Sequence, residues 1–140
     1  MMKLKPYSAS LLVLGGLLLV AMGVYFVFLR PALLPEDLSY MGSTWKMVEA
    51  DIPRLTDWLQ KVFWVMGGYI FTTGVLTVFI ARTSFRARAS GAFGMVALAG
   101  ISSIGAMTVV NFMIGSDFKW LLLTFTLPWA IALILYRLHK

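Results

Sequence analysis

Cysteine is absent from this chain, which excludes thiolate metal sites, disulfides and thiol catalysis. The single histidine, His139, stands beside the chain end, so haem ligation by two histidines is excluded too. Acids are few, six against twelve basic residues, and no acid, lysine or histidine falls inside the long apolar runs. Ionisable groups there would mark proton coupling or retinal attachment. No glycine-rich phosphate loop, metal-ligand cluster or nucleophile triad appears either. Charged residues make up 13% of the chain, whereas a soluble domain carries roughly a quarter.

What the chain does have is apolar residues, 60% of the total, with a mean hydropathy of +0.85. This is the composition of a membrane protein. Four charge-poor runs, about 8–29, 62–81, 89–115 and 120–136, approach or reach the roughly 20 residues that cross a hydrocarbon core. Between the first two lies a polar segment, 30–61, and between the second and third a basic turn, 82–88, with Arg82, Arg86 and Arg88 and no acid. Loops rich in arginine and lysine stay on the cytoplasmic side. With Lys3, Lys5, Arg137 and Lys140, that turn places both termini inside and the 30–61 segment outside. The net charge of +6 is this positive-inside bias and not a nucleic-acid footprint. Tyr7 and Tyr136 then fall near the inner surface and Trp58, Trp64 and Trp120 near the outer. Lys3 and Lys5 before an apolar run, with Ala21 and Gly23 further on, also fit a signal peptide. The run continues through Val24 to Leu29, so the segment is read as a retained span.

In the outer segment, Pro35, Glu36 and Asp37 suit a helix first turn and Gly42 a stop. Ser43 or Thr44 is placed to cap a second short helix toward Ala50. Tyr40, Met41, Trp45 and Met47 are apolar enough for this segment to lie on the membrane surface as a cap. A binding or catalytic role would fall to Tyr40, Trp45, Glu49 and Asp51. Asp51 as cap and Pro53 in the first turn predict the next helix from Ile52 to Ala81.

Small residues mark the helix-packing faces. The third run carries Gly94, Ala97, Gly105 and Thr108 on one side and Ala99, Ser102, Ser103 and Ala106 on another, spacings that let membrane helices approach closely. It is the expected centre of the bundle, with Gly67, Gly74, Thr77 and Ala81 of the second run as the facing stripe. The likeness between Gly23 to Arg30 and Gly74 to Arg82 reads as coincidence, since a transporter repeat would relate the two halves of the chain. Pro128 predicts a kink, because it removes a backbone donor from the Thr124 carbonyl. Asn111 is expected to bond another helix or the cap, or to contact a ligand or partner, and Arg82, Arg86 and Arg88 are candidates for anionic lipid head groups.

The run RPALLPEDLSYMG at 30–42, followed by FWVMGGY at 63–69, resembles small bacterial four-span membrane proteins of unassigned function that carry an LLPEDLxYxG segment after the first span. The resemblance covers the first half of the chain and implies a bacterial inner-membrane setting. It brings no catalytic or binding residues.

The expectation is therefore an all-α integral membrane four-helix bundle, a single domain with short interfacial helices in its first outer loop. Neither cofactor, metal nor catalytic residue is assigned. Its function is read as that of a non-enzymatic accessory or assembly subunit, packing among membrane lipids against further copies of itself or a larger membrane complex. The alternative is an oligomeric channel or carrier for a small neutral or lipidic solute, lined by threonines and Asn111.

Overall fold

The computed structural model describes residues 5–138, so Lys3, His139 and Lys140 lie outside the described residues. Six helices follow one another: α1 (Lys5–Phe28), α2 (Pro35–Met41), α3 (Trp45–Asp51), α4 (Leu55–Phe85), α5 (Ala92–Met113) and α6 (Lys119–Leu138). Among the described residues there is no strand. Four of the helices, α1, α4, α5 and α6, are long and apolar enough to cross a membrane, which is the signature of a membrane-integral chain.

The centre is α1, not the third span. Helix α1 packs along α4 on one side and α6 on the other, while α5 leans on α6 and barely touches α4. Glycines explain the closeness of the first pair. A Cβ on Gly74 would stand 2.7 Å from the Gly16 carbonyl oxygen and 2.6 Å from the Val20 nitrogen; one on Gly67 would stand 2.9 Å from the Gly23 carbonyl oxygen. Gly16 and Gly23 are two turns apart on α1, and Gly74 and Gly67 are two turns apart on the antiparallel α4. The register continues at both ends. Ala9 and Ala81, both buried, occupy the next positions, and the Gln60 side-chain amide donates to the Arg30 carbonyl at 3.5 Å. The small stripe of α4 thus serves α1 and not the third span. Gly23 and Gly74, whose surroundings look alike in sequence, share this interface without facing each other.

Helix α5 is kept away from α1 by one side chain. Trp129 of α6, 2% exposed, lies between Gly15 of α1 and Gly100 of α5. A Cβ on Gly15 would meet the five-membered ring at 2.5 Å, and one on Gly100 the six-membered ring at 2.6 Å. Adjacent glycines on α1 therefore serve two interfaces, Gly16 toward α4 and Gly15 toward α6. A Cβ on Gly94 would meet nothing within 4 Å, and one on Gly105 would meet only Gly100 of its own helix. Their predicted packing role is not filled among the described residues. A hydroxyl contact between Thr108 and Thr126, 3.0 Å apart, also joins α5 to α6.

Two π-helical turns interrupt the long helices, Ala81–Phe85 at the end of α4 and Ile101–Gly105 in the middle of α5. Helix α4 begins later than Asp51 and Pro53 predict. Thr44 caps α3 by accepting from the Met47 nitrogen, and α3 runs on to Asp51. Pro53 then ends it. A residue before proline is pushed out of the α region, and Ile52 sits at φ −140°, ψ 71°. The chain turns over residues 52–54 and restarts at Leu55. Leu33, Leu38 and Val48 form a second small core against Leu55 and Leu59, fixing α2 and α3 on the head of α4. Helix α6 passes through the buried Pro128 without a break.

Candidate lateral cleft

Because Trp129 props α5 away and small residues face α4, a space of about 1010 Å³ remains between α4 and α5. Its floor is Leu19, Met22 and Phe26 of α1 with Leu122 and Phe125 of α6; its walls include Met66 and Ile70 of α4 and Ser103, Ala106 and Met107 of α5. Val65, Tyr69 and Val110 line it while staying more than half exposed, so the cleft opens sideways. The hydroxyls of Ser102 and Ser103 donate to the carbonyls of Leu98 and Ala99, four residues back on their own helix. That leaves the walls effectively apolar.

Polar groups gather at the α2 end. The Arg30 guanidinium lies 3.7 Å from the centre of the Phe63 ring and 5.4 Å from that of Phe26, and donates to the Pro31 carbonyl at 2.8 Å. It also pairs with Asp37 Oδ2 at 3.3 Å, the two side chains being 10% and 21% exposed. Asp37 in turn accepts from the Leu34 nitrogen at 2.9 Å, satisfying a free donor at the start of α2. Glu36, one position earlier, accepts from the Ser116 hydroxyl at 3.1 Å. Ser116 is buried in the loop between α5 and α6 and accepts from the Phe118 nitrogen at 3.1 Å. This bond ties the cap across the end of the cleft. Arg30, Glu36 and Asp37 are the charged residues of its lining.

Of the residues singled out in sequence, Ser102, Ser103, Ala106 and Asn111 come together in the cleft, whereas Gly94, Ala97 and Gly105 do not line it. Asn111 bonds neither another helix nor the cap among the described residues; its amide donates to the Met107 carbonyl of its own helix at 2.9 Å. Tyr40 and Trp45 are exposed on α2 and α3 and stand outside the lining. Arg82 and Arg86 are exposed at the opposite end of the molecule. Arg88 is held differently: at φ +56° it lies 4.5 Å over the Tyr136 ring, while Arg137 lies 4.6 Å over Phe93. In sequence, Arg30 and Ser116 carry no assigned role, and Glu36 is read only as part of a helix first turn. An arginine directly after an apolar run, with acids six and seven positions on, was the available signal.

Among the described residues no group of histidines or acids is arranged to hold a metal ion. An apolar trough with charged groups at one end suits an amphipathic molecule, and its volume stands at the top of the roughly 300–1,000 Å³ typical of ligand pockets. Comparison with protein-family models, curated proteins and solved structures finds no match.

Proposed function

We propose that this is a non-enzymatic integral membrane protein that holds one lipid-like molecule in the cleft between α4 and α5, as a carrier or lipid-binding subunit does. The observation that carries this reading is the cleft itself, open sideways, apolar along its length and charged at the α2 end. A molecule entering from the bilayer would keep its chain among Met22, Phe26, Ile70 and Met107 and bring its polar end to Glu36 and Arg30. The basic turn with Arg82, Arg86 and Arg88 supports termini on the cytoplasmic side. The cap then stands on the outer face, and the LLPEDLxYxG resemblance supports a bacterial inner membrane.

A second reading, an accessory or assembly subunit, is favoured by the open surface around Gly94, where a close approach of another helix meets no obstacle. Photo-crosslinking in intact membranes separates the two. A photoreactive residue in place of Val110, at the open edge of the cleft, should yield adducts of lipid mass. Adducts to another polypeptide, or to a second copy of the chain, would move the accessory reading to first place.

A further inference from the structure

Resting on the cleft as a lipid site, we propose that it selects its occupant by head group, taking a phospholipid that ends in a protonated primary amine and placing the ammonium on Glu36. Three charges line the cleft, and two of them cancel. Arg30 pairs with Asp37, and its guanidinium face is covered by Phe63. Among the described residues no ion pair to Glu36 is formed; it has the Ser116 hydroxyl as donor at one carboxylate oxygen. The α2 end of the cleft therefore keeps one negative charge without an ion-pair partner beside a largely apolar trough.

That charge sets the chemistry of the guest. A lipid with a net anionic head would bring its phosphate against Glu36 without a free opposite charge to meet, since Arg30, the cation of the lining, is already engaged by Asp37. A quaternary ammonium offers charge but no N–H. A primary ammonium offers both, and hydrogen bonds to an ionised partner are roughly twice as strong as neutral ones. Selection by a half-buried charge is also a matter of excluding the wrong partner, because like charges at close quarters are unfavourable.

The test uses the whole chain in detergent, with phosphatidylethanolamine, phosphatidylcholine and phosphatidylglycerol of identical acyl chains added in equal amounts and retention read by native mass spectrometry. Wild type should keep phosphatidylethanolamine about tenfold over phosphatidylglycerol, the size of one charge-assisted hydrogen bond, and also over phosphatidylcholine. Glu36→Gln keeps an acceptor for Ser116 and removes the charge, so the preference should fall to near one while total retention persists. Glu49→Gln removes the same charge from an exposed site on α3 outside the lining and should leave the preference intact. Equal retention of all three lipids by wild type, or a preference that survives Glu36→Gln, overturns head-group selection and leaves the cleft as a lipid site. Retention of none overturns both.

Discussion

Gly16 of α1 and Gly74 of α4 meet backbone to backbone: a Cβ added to Gly74 would stand 2.7 Å from the Gly16 carbonyl oxygen. This contact and its counterpart two turns away, Gly23 with Gly67, hold the central helix pair together by packing, since in lipid no water is released when helices associate.

Gly74→Val should therefore destabilise the fold by about 1–3 kcal/mol, the usual range for an overpacked site. Gly68→Ala, inside the helix at a position where a Cβ meets nothing within 4 Å, should leave stability unchanged or raise it by up to about 1 kcal/mol. Denaturation of both variants in mixed micelles, followed by circular dichroism, checks the contrast.

Trp129 is the wedge between Gly15 and Gly100, and its indole N–H is buried with no hydrogen-bond partner among the described residues. Trp129→Ala should cost about 3–5 kcal/mol. Trp129→Phe keeps most of the ring and removes the unsatisfied donor, whose burial costs about 1–3 kcal/mol. It should lie much closer to wild type, and thermal unfolding in detergent reads the difference.

Arg30 joins α1 to the cap through Asp37, the Pro31 carbonyl and the Phe63 ring. Arg30→Lys keeps the charge but loses the flat stacking surface and the fork of donors. The expected result is faster hydrogen exchange over α2 with unchanged exchange in the middle of α1. Uniform acceleration across both would contradict a local role.

Each hydroxyl of the Thr108–Thr126 contact also donates to a carbonyl of its own helix, Ile104 and Leu122. Two protons thus serve three contacts, and the coupling should not exceed about 0.6 kcal/mol, the average of interhelical hydrogen bonds in membrane proteins. A double-mutant cycle with Thr108→Val and Thr126→Val measures the coupling directly.

The four long helices were legible because they announce themselves by missing charge, and the arginine turn divides the second from the third. Helix α4 was misplaced at its start because Asp51 and Pro53 satisfy the rule for beginning a helix and equally the rule for ending one. Only the packing of Val48 and Leu38 on Leu55 and Leu59 decides that α3 takes Asp51. The stripe of Gly67 and Gly74 was legible, but its partner was not: small residues occur on α1 and α5 alike, and spacing within one helix does not say which neighbour it meets. What decides it is Trp129, a large side chain on a third helix that keeps α5 at a distance. The cleft was illegible for the same reason, since it is formed by residues that fail to meet. Ser102, Ser103 and Ala106 were read as a packing face, and they are the wall where a neighbour is missing.

The most direct test of a lipid held in that cleft is retention after exhaustive exchange into a delipidating detergent, counted by native mass spectrometry. The wild-type chain should keep one lipid per copy, and Ala106→Trp and Ser103→Leu, which fill the cleft from its α5 wall, should keep none while their helical circular dichroism is unchanged. Equal retention by all three, or a wild-type chain that sheds all its lipid, would contradict the cleft as a binding site.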